Sequence, residues 1–353
     1  MMKPIDCLSW LLALCALYVA SGLAFAQTER GATLESKIIS SLSEGRTERS
    51  IVHIEGDIYR FHSNNHSGLI MLTEEGAVLV DPLNVGNAEW VKGEIESKFD
   101  TKVTHVLYSH GHQDHASGAS FFEGAEIVSH KNTFDLITPP ADQPLTGRYL
   151  SSDQNGDGYL TASELRNNFA DIDTNGDEKV SGQEAYAYNY RNVAAPTQTY
   201  DGGIHQLELG GKVVEMHHLG GNHASDMSYI FFPEERLLFV VDVISLKTLP
   251  WSTIPWYAPD DNQRTFEMAL AIDADIVIPS HGVAGTQSGV RNLQQYMSDL
   301  RKGVIAGIDQ GHSLEEIQAS LLLEDYADWE FYSDRRPQNI AGMHSALMRE
   351  RGI

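Results

Sequence analysis

The sequence predicts an α/β layered sandwich with a small acidic insertion and a helical extension at its C-terminal end. Short apolar runs typical of buried strands occur in both halves of the chain, helical patterns stand between and after them, and acidic loops interrupt the series. With 353 residues the chain can bury a large core. Its net charge of −24 leaves no basic face for nucleic acid, which we therefore exclude as a partner.

Residues 1–26 are predicted to be a secretory signal peptide that does not belong to the core. An apolar stretch follows an early lysine, and Ala24 and Ala26 form the small-x-small pattern of a cleavage site. The alternative is an uncleaved anchor helix, because the apolar run is only just long enough to span a bilayer. The only cysteines are Cys7 and Cys15, so a mature chain would have neither disulfides nor thiolate ligands. We expect an exported protein, periplasmic or secreted, without a membrane span after cleavage.

The strands are expected in two groups. In the first half, 68–72 and 77–81 are apolar runs joined by a polar turn, and 103–108 is a further buried strand. The second half repeats this style in four segments: 212–216, 227–232, 237–242 and 275–280. Later in the chain, apolar residues recur at three- and four-residue spacing, which predicts a C-terminal helical extension over 286–353.

Histidine and carboxylate side chains follow the ends of four predicted strands. The segment HGHQDH comes directly after strand 103–108, and later strand ends carry His223, Asp242 and His281. Strand ends present their loops to solvent and ligands, so the convergence indicates one site. In an extended HGHQDH loop the first two histidines would face one way, while the aspartate and third histidine turn to another. Imidazole and carboxylate without thiolate suit zinc, and also iron or manganese.

The segment SHGHQDHASG resembles the H-x-H-x-D-H signature of the metallo-β-lactamase superfamily. Three later segments, GGNHASD, LLFVVD and IVIPSHG, resemble the family's remaining ligand blocks in the family's order. The resemblance implies an αββα sandwich over residues 27–285. It leaves the acidic insertion at 150–190 and the C-terminal helices outside the family pattern.

The resemblance also implies a site for two zinc ions, with iron possible. Its metal ligands would be three residues at the first ion, three at the second and one bridging both: His110, His112 and His223; Asp114, His115 and His281; and Asp242. Asp114 would also orient the attacking hydroxide, which makes it the implied catalytic residue. Asp81 would support the metal loop from behind the ligands, an ordinary strand-end aspartate being the alternative. The bridging aspartate stands where the best-known zinc β-lactamases have cysteine, so hydrolysis of that cysteine-dependent kind is not supported.

The implied chemistry is metal-assisted hydrolysis of a small molecule. Two cations a few ångströms apart turn a bridging water into hydroxide, which attacks an ester, amide, lactone, thioester or similar bond. Two alternatives stay open: a mononuclear iron oxygenase acting on a sulfur substrate, and a calcium-dependent binding protein with a vestigial hydrolase site. The sequence does not identify the substrate or the oligomeric state. Trp251, Trp256 and Tyr257 either wall the substrate cleft or form a packed loop.

The acidic insertion contains two twelve-residue segments that resemble EF-hand calcium loops. The implied calcium ligands, with carbonyls from Tyr159 and Lys179, are Asp153, Asn155, Asp157, Tyr159, Thr161 and Glu164 in the first loop and Asp173, Asn175, Asp177, Lys179, Ser181 and Glu184 in the second. Glu178 replaces a turn glycine, and because a non-glycine residue at positive φ costs about 1 kcal/mol, we expect the second site to be weaker. An acidic loop without metal is the alternative. We hypothesise that calcium orders a cover over one side of the active site.

Overall fold

The computed structural model describes residues 49–165, 167–251 and 259–352. The predicted signal peptide at 1–26 lies outside these residues. Two β-sheets with helices around them make up the fold, which confirms the predicted α/β class with two groups of strands. No helix in the described ranges is long and apolar enough to cross a membrane.

The first sheet has seven strands in sequence order. They are antiparallel from β1 to β4 and parallel from β4 to β7. The predicted hairpin is present, with Thr73 opposite Gly76 at its turn. The strands are β1 Ser50–Glu55, β2 Ile58–Ser63, β3 His66–Thr73, β4 Gly76–Val80, β5 Val103–Leu107, β6 Glu126–His130 and β7 Gln198–Tyr200.

The second sheet has five strands, and its edge strand β12 pairs parallel with β11. The other pairs are antiparallel. The strands are β8 Ile204–Leu209, β9 Lys212–His218, β10 Ser228–Phe232, β11 Leu237–Val240 and β12 Ile276–Pro279. Buried side chains of both sheets, among them Leu69 and Val80 from the first and Met216 and Ile230 from the second, share one core. Because that core joins the sheets, the loops at their strand ends are held in fixed relative positions.

Helices complete the layers. Helix α1, Val85–Phe99, buries Ala88, Val91 and Ile95 in a second core with residues of the first sheet. The other helices outside the insertion are α2 Gln113–Ala116, α3 Thr133–Ile137, α7 Pro259–Ala271, α8 Gln287–Asp309, α9 Leu314–Ser320 and α10 Tyr332–Glu350. The predicted C-terminal helices are therefore present. Their apolar faces belong to the same core that joins the two sheets, so they pack on the sandwich.

The insertion has a small apolar cluster of its own, which includes Leu160, Ile172 and Val180. Its helices are α4 Gly147–Ser152, α5 Phe169–Ile172 and α6 Gly182–Tyr190. The two acidic loops meet at an antiparallel bridge, in which the amide of Leu160 donates to the carbonyl of Val180 and the reverse bond also forms. Glu178 has φ +64°, as predicted from its position in the second loop.

Candidate metal centre

The HGHQDH segment turns from the end of β5 into the one-turn helix α2. His112 is extended, with φ −62° and ψ 150°, and its carbonyl accepts hydrogen bonds from the amides of His115 and Ala116. The predicted fully extended loop is therefore wrong for Asp114 and His115, because these backbone bonds close a helical turn around them. The turn still keeps the ring of His115 close to that of His110, with 4.7 Å between their centroids.

Asp242, two residues after the end of β11, lies between two groups of histidines. Its Oδ2 is 3.2 Å from Nε2 of His110 and 2.9 Å from Nε2 of His223. Its Oδ1 is 3.3 Å from Nε2 of His115 and 2.9 Å from Nε2 of His281. One carboxylate thus faces both groups with different oxygens, which is the arrangement that a bridging ligand requires.

The remaining predicted ligands complete these two groups. Nδ1 of His112 lies 3.1 Å from Nε2 of His223, so the first group is His110, His112, His223 and Oδ2 of Asp242. Oδ2 of Asp114 lies 3.4 Å from Nε2 of His115 and 3.8 Å from that of His281. The second group is Asp114, His115, His281 and Oδ1 of Asp242. The fold brings all seven predicted residues together; their binding of metal stays a prediction.

Burial and charge set the protonation of these side chains. Burial and the neighbouring histidines lower the pKa of His110 well below its usual value and that of His112 to about 4. Burial opposes charge on Asp242 and His115 as well, but their mutual attraction and the surrounding partners outweigh it. The pKa of Asp242 is held well below its usual value, and that of His115 is raised well above. His110 and His112 are thus neutral beside an ionised carboxylate, which are the forms that bind metal, whereas His115 has to lose a proton before it can do so.

Two buried nitrogens support a metal-binding role. Nε2 of His110 and Nε2 of His115 are fully buried and make no hydrogen bond within the described residues, although both are directed at carboxylates. A buried polar atom without a partner is costly. A cation between these nitrogens and the oxygens of Asp242 would satisfy them together. The residues therefore fit a pair of zinc ions, or of iron or manganese.

Asp81 contacts the ligands from behind. It is fully buried at φ +53°, and its carboxylate accepts the backbone N–H of Ser109 at 2.8 Å and the hydroxyl of Ser109 at 2.6 Å. Its Oδ2 also lies 3.2 Å from Nδ1 of His115. An N–H at Nδ1 donated to this carboxylate leaves Nε2 of His115 unprotonated for a metal. These are the contacts that the implied role of Asp81 requires, and that role stays a prediction.

Two residues of the site were missed by the sequence reasoning. His66, at the start of β3, places Nε2 3.3 Å from Oδ2 of Asp114 and could join the second group. The spacing of the other candidate ligands does not predict His66, because this residue reaches the site through the β2–β3 hairpin. Asp226 is fully buried and accepts the N–H of Gly111 at 2.8 Å and the hydroxyl of Thr133 at 2.7 Å, so it supports the HGHQDH loop. Its position three residues after a predicted ligand was the available signal.

A cavity of about 440 Å³ opens over the two groups. Trp251 lines it, as one interpretation of the aromatic segment predicts, whereas Trp256 and Tyr257 lie outside the described residues. No described residue of the insertion lines this cavity, so the hypothesis that calcium orders a cover over it gains no support here. The insertion reaches the metal loop from behind. The hydroxyl of Tyr186 donates to the carbonyl of Leu136. The side chain of Leu136 packs closely on Gly111 of the HGHQDH loop, because a Cβ added at Gly111 would lie 3.0 Å from it.

Comparison with known proteins agrees with this geometry. The family model described as the metallo-beta-lactamase superfamily matches residues 63–281, which include both groups of candidate ligands. The chain belongs to the metallo-β-lactamase superfamily. The family includes metal-dependent hydrolases, and its fold accounts for the two sheets and for the position of the candidate ligands at their strand ends.

Two curated relatives align with parts of the chain. The 2,4-dinitroanisole O-demethylase subunit alpha of Nocardioides sp. is 21% identical over 235 residues, which is 65% of this chain and 56% of that protein. A protein named a metal-dependent hydrolase from Mesorhizobium japonicum is 40% identical over 70 residues, 18% of this chain and 28% of its own length. The chain thus spans about half the length of the first relative and less of the second.

Solved structures share the fold at low identity. The DIM-1 metallo-β-lactamase has a TM-score of 0.50 at 18% identity, with 71% of this chain and 97% of that chain covered. A double mutant of the sec-alkyl sulfatase PisA1 has a TM-score of 0.57 at 12% identity, with 86% of this chain and 50% of that chain covered. At these identities the similarity concerns the fold alone.

Proposed function

We propose that this chain is an exported dinuclear zinc hydrolase that cleaves an ester, amide, lactone, thioester or similar bond of a small molecule. The observation that carries the proposal is the position of Asp242, whose two oxygens face two separate groups of histidines. Membership of the superfamily supports a metal-dependent hydrolase in general terms. The nitrogen and oxygen donors, without thiolate, favour zinc among the metals that this geometry could accept.

Some side chains of the site would hold metal, and others would contact the substrate and the attacking water. When bound, two divalent cations would activate water and polarise the bond that is cleaved. His110 and His115 are fully buried, so they can hold their positions rigidly through a reaction. Asp114 is about half exposed and lines the cavity, where its Oδ2 can accept a hydrogen bond from the attacking water and orient it. Asp81 and Asp226 keep the ligand loop in place from behind.

The alternatives predict different metal contents. A mononuclear iron oxygenase would use one of the two groups, and a calcium-dependent binding protein would use neither. A carboxylate facing both groups favours two ions, because a single ion would use only one of the two oxygens of Asp242 and only one of the two groups of histidines. We therefore keep the two alternatives as outcomes of the experiment rather than as separate proposals.

The test is elemental analysis of the chain from residue 27, purified without chelators or added metals. We expect about two zinc ions per chain, and hydrolysis of at least one member of an ester, amide, lactone, thioester and phosphoester series. An aryl ether, 2,4-dinitroanisole, should be added, because it is the compound in the name of the demethylase relative. About one iron ion would favour the oxygenase. A full zinc complement with no hydrolysis of any member would contradict the proposed activity.

We also propose that the insertion binds calcium through an EF-hand pair. In the first loop the carboxylate of Asp153 accepts the N–H groups of Gly156 and Gly158, which curls the backbone around the acidic side chains. Glu164 returns to the same loop, where its Oε2 accepts the N–H of Thr161 at 3.0 Å. The second loop repeats these bonds with Asp173 and Glu184. These contacts and the bridge that joins the two loops support a preformed pair of oxygen-lined sites.

Calorimetric titration of the chelator-treated chain with calcium tests this proposal. We expect one or two sites, and Glu164→Gln should weaken the first by roughly ten-fold or more, because the twelfth position supplies two oxygens. Glu184→Gln should affect the second, weaker site. Glu123→Gln is a matched control, since this exposed glutamate lies outside both loops. No calcium binding by the unaltered chain would contradict the proposal.

Export rests on the sequence of residues 1–26 and is likewise a proposal. Expression of the full chain followed by N-terminal sequencing of the exported product should find an N-terminus at residue 27. A product that retains the first 26 residues at the membrane would favour the anchor-helix alternative.

A further inference from the structure

The C-terminal extension contributes to the cavity over the candidate metal ligands. Phe331 and Arg335, at the start of α10, line the same cavity as Asp242 and His281. The amide of Leu249 donates to the carbonyl of Glu330 at 3.1 Å, so this part of the extension is joined to the loop that follows the bridging aspartate. The C-terminal helices therefore do more than cover the core.

Arg335 is held in a defined position at the cavity wall. Its guanidinium carbon lies 3.8 Å from the ring centroid of Phe331 and 4.8 Å from that of Trp251, both within cation–π range. Nη1 donates to the carbonyl of Leu249 at 2.9 Å. The two rings and the carbonyl restrict the guanidinium, so little conformational entropy remains to be lost when a ligand binds.

The guanidinium keeps most of its hydrogen-bonding capacity. A guanidinium has five N–H donors, and within the described ranges only the bond to Leu249 uses one. No carboxylate of the described residues forms an ion pair with Arg335, in a chain with 49 acidic residues against 25 basic ones. It is also the sole lysine or arginine among the described residues that line the cavity.

The surroundings determine what this cation can bind. Trp251 is 65% exposed, so apolar ring surface is accessible beside the charge, and Phe331 is 38% exposed. A guanidinium matches the paired oxygens of a carboxylate, sulfate or phosphate. Aromatic rings beside it can accept the aryl or alkyl part of the same molecule.

We infer that Arg335, between Trp251 and Phe331, is the binding site for an oxyanion carried by the substrate next to an apolar group. The inference rests on the proposed function, because it assigns this group to the molecule that is cleaved over Asp242. It narrows the substrate class to anionic compounds, with a carboxylate, sulfate or phosphate attached to an aryl or alkyl group. The C-terminal extension thereby selects the substrate while the superfamily core supplies the chemistry.

The experiment measures binding without turnover. The full chain, with the metals it retains on purification, is titrated calorimetrically with benzoate, benzenesulfonate, phenylphosphonate and the uncharged benzamide. We expect at least one anion to bind roughly ten-fold or more tightly than benzamide. Arg335→Met should abolish this preference and leave benzamide binding within about two-fold. Arg349→Met is the matched control, because Arg349 is an exposed arginine of the same helix and its loss changes the net charge equally.

Further measurements separate the possible causes of a weaker signal. Metal content and thermal unfolding are compared for every variant, because anions can also bind to the metals and Arg335 contacts the Leu249 carbonyl. Arg335→Lys keeps the charge but loses the planar pair of donors, so it should retain part of the preference. Where Arg335→Met fails to fold, the comparison of the unaltered chain with Arg335→Lys tests the site.

Two outcomes would overturn the inference. In the first, the unaltered chain shows no preference for an anion over benzamide. In the second, the preference persists in Arg335→Met with normal metal content. Hydrolysis is not part of the readout. A chain that binds an anion through Arg335 but cleaves nothing would contradict the hydrolase and leave the anion site standing. An active hydrolase without an Arg335-dependent preference would support the hydrolase and contradict the anion site.

Discussion

Replacement of Asp81 by asparagine should weaken the second metal while leaving the first nearly unchanged. In Asp81→Asn the oxygen that accepts the N–H of Ser109 can be retained, but an NH2 group then replaces the Oδ2 that faces Nδ1 of His115. Two donors would face each other there. His115 can relieve this contact by moving its proton to Nε2, which is the nitrogen directed at Asp242. The altered tautomer competes directly with metal binding.

The size of this effect follows from the contact that is lost. A hydrogen bond to a charged group contributes about 1.5–3 kcal/mol, which corresponds to roughly a 10- to 150-fold change in an equilibrium constant. Changes in residues that orient metal-binding histidines cost about 10- to 100-fold in metal affinity. We therefore expect zinc to bind the second group about 10- to 100-fold more weakly in Asp81→Asn.

Competition titration against a chromophoric zinc chelator measures both affinities, and plasma mass spectrometry checks the metal content. Ser109→Ala is the matched control for the second group, because it removes the hydroxyl bond to the same carboxylate but leaves the contact between Asp81 and His115. The Ser109 hydroxyl also lies 3.2 Å from Nδ1 of His110, so the two variants are compared at the second group alone. The effect of Ser109→Ala there should stay within about three-fold. Unchanged affinity for two zinc ions in Asp81→Asn would refute the reasoning, and equal losses in the two variants would show that the tautomer is not the cause.

Three further predictions concern neighbouring groups. His66→Gln should weaken zinc binding to the second group by a few-fold, whereas His53→Gln, on the partly exposed strand β1, should not; titration of both variants decides. Because the pKa of His115 is raised, the proton on this imidazole stabilises the metal-free fold. That contribution is fully present below pH 6.5 and is lost as the pH rises through the raised pKa. Zinc must displace that proton to bind the second group. Calorimetry at pH 7 in buffers of different ionisation enthalpy should therefore find about one proton released when zinc binds there. Fewer protons should be released at the first group, because His112 has a pKa of about 4 and is already neutral. If calcium acts through the bond from Tyr186 to α3, its removal should lower zinc affinity by roughly five-fold in the unaltered chain and less in Tyr186→Phe; equal responses would refute that coupling.

The positions of seven of the twelve described strands and most of the candidate site could be predicted because local patterns mark them, whereas the order of the strands in each sheet was not predicted. A buried strand is marked by its own apolar run, and the candidate ligands stand directly after such runs, as at His110, Asp242 and His281. The helical turn through Asp114 and His115 was not foreseen. A four-residue helix depends on two backbone bonds to the carbonyl of His112, and so short a segment has no hydrophobic period to reveal it.

The sequence by itself determined the α/β class of the fold, and its resemblance to known motifs implied the seven candidate ligands and the two acidic loops. Each of these is a pattern within a few neighbouring residues, where residue type and spacing directly limit the local geometry. Only the tertiary structure decided that the two oxygens of Asp242 face different groups, that His66 reaches Asp114, and that Arg335 lies between two aromatic rings at the same cavity. These contacts join residues far apart in the chain. They depend on how the sheets and the C-terminal helices pack, and no local pattern records that packing.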